Sequence, residues 1–216
     1  LLQNVKNSFL EDRYRFQIIR LYFHSKNHKK AQDFYTNNID FFKNESSIKF
    51  RFMQTAVGAF YRDKNYGMAN YLNSIIFDKY VPLKKDAYLF FHPQEEKDWN
   101  QSLSLAKSSR EKQVLWQLFG LYADGNKAIE KIYELQPKSD LLLLLLTREV
   151  NKSEDAIRNI DNLEQHNSQS IIGKVDSLNK RLVLIKKITD ENKVIKGYLW
   201  QLALAHLYAS VNNVDQ

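Results

Sequence analysis

Residues 20–35, RLYFHSKNHKKAQDFY, and residues 58–73, GAFYRDKNYGMANYLN, align without a gap at an offset of 38 positions. Tyr22 falls on Phe60, Phe23 on Tyr61, Asn27 on Asn65 and Ala31 on Ala69. Each copy reads as two helices around a polar turn: 11–25 with 28–43, then 48–63 with 66–80. Ile18, Ile19 and Tyr22 follow i, i+1, i+4 on the first helix, and Ala31, Phe34, Tyr35 and Phe42 hold one face of the second. A single helix pair cannot bury both apolar stripes, whereas the next pair stacked on it can. That is why units of this length recur along a chain. The spacing therefore predicts an all-α fold, an α-solenoid of stacked antiparallel helix pairs over residues 1–216.

Composition agrees with that reading. The 216 residues are 44% hydrophobic, with 12 Tyr and 13 Phe but only 6 Gly and 3 Pro. A chain so short of turn-formers suits long helices with brief connections and argues against sandwiches and barrels. There is no cysteine, which excludes a disulfide framework, a thiolate metal site and a cysteine nucleophile together. The net charge of +7 is unevenly placed: residues 1–110 carry 18 Lys and Arg against 11 Asp and Glu, and residues 111–216 carry 14 of each. A basic N-terminal half favours an anionic partner. The opening LLQNVKNSFLEDRYRF lacks a signal-peptide pattern and the chain does not start with Met. The expectation is a segment of a longer chain, with cytoplasmic and exported locations both open.

An aromatic late in the first helix, a turn, and a small residue early in the second together resemble the tetratricopeptide repeat. Tyr22 and Phe60 match the aromatic, Ala31 and Ala69 the small residue, and Pro82 stands near the unit's terminal proline. Ile19 and Val57 depart from the small residue the family places at the first helix's crossing, and the period is longer than the family's. The resemblance is clearest over 11–43 and 48–82. It weakens over 109–137, where WQLFGLYADGNKAIEKIYELQP (116–137) repeats Gly120, Tyr122, Ala128 and Pro137, and over 191–216. It implies a right-handed superhelix and a non-enzymatic protein-interaction or scaffold module. The stretch IYELQPKSDLLLLLLTREVNKSED also resembles large exported repeat proteins of Bacteroidota, which implies a bacterial origin. Further helices are expected near 83–92, 95–108, 139–151, 153–164 and 172–189. The run Leu141–Leu146 is far short of the ~20 apolar residues of a membrane span and is expected to be a helix buried on all sides. Aromatics such as Tyr14, Phe16, Tyr35, Phe60, Trp116 and Trp200 are expected in the core or between repeats. In YLWQLALAHLY, Leu199, Trp200, Leu202, Leu204 and Tyr208 have no later helix to cover them, so self-association through this end is expected.

No pattern for a cofactor or a metal stands out. His24 and His28 are i, i+4, but the inter-helix turn separates them and no glutamate accompanies them. Gly120 and Gly125 have a phosphate-loop spacing, yet Asn126, Lys127 and Ala128 follow where Lys and a hydroxyl residue belong. Adjacent carboxylates such as Glu95 and Glu96 lie in polar segments suited to solvated helix faces. The arginines are more informative, since four of the six in residues 1–110 fall on positions that line the concave groove of tetratricopeptide folds. That carry-over gives Arg13, Phe16, Arg20, Phe23 and His24 from the first unit, and Arg51, Gln54, Gly58, Tyr61 and Arg62 from the second. The family's carboxylate clamp is absent, with Phe16 and Arg20 in its place. Arginine's planar fork suits carboxylate or phosphate, so the expected partner is a protein or acidic extended peptide, ahead of nucleic acid. A nucleic-acid-binding helical repeat and a helical enzyme with an unrecognised site are the alternatives.

Overall fold

The computed structural model describes residues 8–163 and 168–212, with side chains for residues 10–156 and 176–210. All regular structure among these residues is helical. The elements are α1 (Ser8–His24), α2 (His28–Asn38), α3 (Ser47–Arg62), α4 (Tyr66–Lys79), α5 (Lys84–Leu89), α6 (Glu96–Leu105), α7 (Ser109–Tyr122), α8 (Gly125–Leu135), α9 (Leu141–Leu163), α10 (Ser168–Glu191) and α11 (Gly197–Asn212). Short 3-10 turns follow α2 at Ile39–Phe41 and precede α5 at Val81–Leu83. The helices gather into two compact units, residues 1–115 and 116–216, with the boundary inside α7.

In the first unit the sequence echo becomes a repeated piece of backbone. The Asn27 amide donates to the Tyr22 carbonyl (2.9 Å) and the Lys26 amide to Phe23 (3.0 Å), while Asn65 donates to Phe60 (2.9 Å) and Lys64 to Tyr61 (3.1 Å). These are paired Schellman turns, which occupy carbonyls that a helix end otherwise leaves without donors. Lys26 and Lys64 hold the left-handed position, with φ of 61° and 60°. The residue after each lysine opens the next helix, and the Asn65 side chain accepts from the Met68 amide. The Lys-Asn pair thus closes one helix and starts another. Ala31 and Ala69, four residues on, are almost wholly buried.

Packing follows the same offset. α1 contacts α2 and α3, α2 contacts α3, α3 contacts α4, and α4 carries α5 and α6. The Tyr35, Phe42 and Phe52 rings meet at the junction of α2 and α3, with centroids 5.6 Å and 4.9 Å from Phe52. Gln32 and Asn70, also 38 apart, are both buried and each reaches forward. Gln32 Nε2 donates to the Ala59 carbonyl (3.2 Å) and Asn70 Oδ1 accepts from the His92 amide (2.8 Å). A buried amide needs partners, and here the partner is the backbone of the following segment.

The second unit pairs α8 with α9 and α10 with α11, with α9 also against α11 and α10 also against α8. Gly120 marks a close crossing, since a Cβ there would stand 2.6 Å from the Ala128 Cβ and 2.9 Å from Leu145. Arg148 Nη2 donates to the Leu121 carbonyl (2.7 Å), satisfying an acceptor in the last turn of α7.

Several expectations need correction. Segments 139–151 and 153–164 are one helix, because Ser153 is buried with Oγ donating to the Glu149 carbonyl (3.0 Å) and no Gly or Pro intervenes. The leucine run is not buried on all sides: Leu141, Leu142, Leu145 and Leu146 are buried, but Leu144 is half exposed. Consecutive residues turn by about 100°, so six in a row must sweep past any open side of a helix. α5 and α6 end at 89 and 105, earlier than read, and Tyr14 is exposed rather than core. In α11 the expected uncovered surface is divided. Trp200 is fully buried because α9 and α10 pack there, while Leu202 and Tyr208 remain exposed.

Candidate partner-binding face

The face named by the sequence is built on α1 and α3, which pack together. Along α3, Arg51, Gln54, Gly58 and Arg62 recur at three- and four-residue steps, and Arg13, Phe16, Arg20 and Phe23 do the same along α1. Each set forms one stripe. The two stripes meet where a Cβ on Gly58 would lie 3.0 Å from the Phe23 ring. Glycine at 58 therefore lets the Phe23 ring lie against the α3 backbone. Arg20 stands one turn before Phe23 and Arg62 one turn after Gly58.

Around that contact the side chains divide by role. The Phe23 ring packs edge-on to His24 (5.5 Å) and tilted to His28 (5.4 Å), which accounts for the two histidines as ring contacts across the turn. Phe16 receives the Arg20 guanidinium over its face at 5.5 Å, and Arg20 also donates to Gln17 Oε1 (3.3 Å). Tyr61 makes an edge contact with Tyr66 (5.1 Å). Gln54 is turned aside, donating to Asp86 Oδ2 of α5 (3.3 Å). Arg13 borders a cleft of about 670 Å³ with Glu11, Asp12 and Arg15, so it sits among carboxylates.

Charge is what distinguishes this face. The neighbouring acids are engaged: Asp63 accepts from Gln32, Asp86 from Gln54, and Glu11 and Asp12 pair with Arg15 at 3.3 Å and 3.6 Å. Burial raises the Asp12 pKa above its ordinary value, and the Arg15 charge opposes that rise. Arg20, Arg51 and Arg62 are exposed, and among the described residues none lies within 4.0 Å of a carboxylate. An exposed guanidinium without an internal carboxylate keeps its charge uncompensated and most of its donors available to a ligand, Arg20 committing one of them to Gln17.

Sequence reasoning missed a buried polar network in the second unit. In the second unit Arg181, from α10, pairs with Glu149 (2.5 Å) and donates to Ser153 Oγ (2.5 Å) and Asn126 Oδ1 (3.2 Å). Glu149, Ser153 and Arg181 are all buried. Gly125 leaves the space that the Glu149 carboxylate fills, which gives that glycine a packing role. The network joins α8, α9 and α10. The only sequence signal for it is a pair of charges at 149 and 181 within otherwise apolar helix stripes. Among the described residues no group of three or more His, Asp or Glu could hold a metal ion.

Comparison of the chain with protein-family models, with curated proteins and with solved structures finds no match.

Proposed function

We propose that this chain is a tetratricopeptide-like α-solenoid whose α1/α3 face captures an acidic, extended segment of a partner protein, with no chemistry of its own. The observation that carries the reading is the stripe of Arg20, Arg51 and Arg62, exposed beside acids that are already engaged. The solenoid part rests on the two matching Schellman turns, on α3 packing against both helices of the preceding pair, and on the forward reach of Gln32 and Asn70. In the second unit α11 likewise packs against both α9 and α10. Stacked helices hold such a face in place before binding, so little ordering is left to the protein when a peptide docks.

The test is titration of the chain with a glutamate-rich peptide followed by fluorescence anisotropy. Arg20→Ala with Arg62→Ala is expected to weaken binding about tenfold, or ~1.4 kcal/mol. The urea midpoint should stay in place, because exposed charges add little to folding. Equal affinity of parent and double variant over a range of salt would refute the assignment. Tighter, steeply salt-dependent binding to arbitrary RNA would assign the face to nucleic acid instead.

A further inference from the structure

The segment YVPLKKDAYLFF, residues 80–91, has one side packed into the first unit and one side exposed. Its inward side is firmly mounted. Tyr80 stacks on Phe50 with centroids 4.8 Å apart and planes within 8°, and Ala87 and Phe91 are buried. Two buried asparagines of α4 grip the turn after α5, with Asn73 Nδ2 donating to the Phe90 carbonyl (3.1 Å) and Asn70 Oδ1 accepting from the His92 amide (2.8 Å).

Its outward side is apolar without covering. Val81 is 80% exposed, Phe90 59% and Leu89 50%, with Tyr88 at 36%. Lys85 and Leu89, four residues apart in α5, share a side. Exposure this high describes a ridge that projects rather than a groove that receives. Lys84 and Lys85 stand beside it, both exposed, and Lys84 Nζ lies over the Phe77 ring at 4.5 Å. The acids closest in chain are engaged, Asp86 by Gln54 and Asp78 by Arg110.

We propose that the ridge of Val81, Tyr88, Leu89 and Phe90, flanked by Lys84 and Lys85, docks the chain on an anionic lipid surface. Protein interfaces are depleted in lysine, whereas lysines beside projecting aliphatic and aromatic side chains match the boundary between headgroups and acyl chains. The surplus of basic residues in residues 1–110 has the sign such a surface attracts. No described helix is long and apolar enough to cross a membrane, so the contact is interfacial.

The experiment is co-sedimentation of the full chain with phosphatidylcholine vesicles, with and without phosphatidylserine, at physiological salt. The parent should bind the anionic vesicles and not the neutral ones. Lys84→Ala with Lys85→Ala should weaken binding about thirty-fold, from roughly fivefold per lysine near an anionic surface. Leu89→Ser with Phe90→Ser should abolish it while the circular dichroism spectrum stays that of the parent. As a second readout, Leu89→Trp should shift its emission to the blue only with anionic vesicles. Absence of binding by the parent, equal binding to neutral vesicles, or full binding by either double variant would overturn the proposal. So would lipid-free self-association that the serine pair removes, which would give the ridge to a second copy of the chain.

Discussion

Replacing Lys26 or Lys64 by glycine should stabilise the first unit, although glycine ordinarily weakens helical segments. Both lysines hold left-handed backbone at the end of a first helix, with φ of 61° and 60°. A residue with a Cβ costs about 1–2 kcal/mol in that conformation. Glycine relieves this but adds about 0.4–1 kcal/mol of conformational freedom to the unfolded chain, so the net expectation is about 0.5–1 kcal/mol of stabilisation for each site. Both side chains are exposed, so little packing is lost. The corresponding alanine variants retain the Cβ and provide the control. Thermal unfolding followed by circular dichroism should show each glycine variant melting ~1–4 °C above its alanine counterpart, with the hydrogen bonds from Asn27 and Asn65 retained. A glycine variant no more stable than its alanine control would refute the turn assignment, because relief of backbone strain is the one contribution that favours glycine there.

Ala31→Leu and Ala69→Leu should each lower the urea midpoint, since both alanines are almost wholly buried at helix crossings and overpacking costs ~1–3 kcal/mol. An unchanged midpoint in both would place the alanines outside a crossing. Arg181→Met should destabilise the second unit by up to about 3–5 kcal/mol, because the buried Glu149 carboxylate would keep only the part-exposed Lys152, 2.7 Å away, as an ionic partner. Glu149→Leu combined with Arg181→Met should recover most of that loss. A double variant as unstable as the single one would show that the pair contributes more than mutual neutralisation.

The all-helical character was legible because it rests on local information. Apolar residues at helical spacing, scarce glycine and proline, and a polar turn repeated at a fixed offset all act within a few residues of chain. The same locality explains why the helices α1, α3 and α4 and the turn between His24 and His28 were legible, whereas the second helix, expected over 28–43, ends at Asn38 and leaves Phe42 in extended backbone after a 3-10 turn. The Schellman geometry was hidden by its own exception, since lysine stands where glycine is the usual signal.

What lay outside local reach was which face of each helix finds a neighbour. Leu144 and Leu145 are chemically identical and adjacent, yet one is half exposed and the other buried, because only one side of α9 is covered there. Tyr14 was expected in the core on its aromatic character and is exposed, while Arg181 would pass for a solvated charge and is buried. On the candidate face, sequence could name the arginines and their stripe, but not that Asp63, Asp86, Glu11 and Asp12 are engaged by other residues. Those pairings join residues up to 32 positions apart. Helical periodicity assigns each side chain a direction on its own helix, but burial and charge pairing depend on which helix lies opposite, and only the tertiary structure decides that.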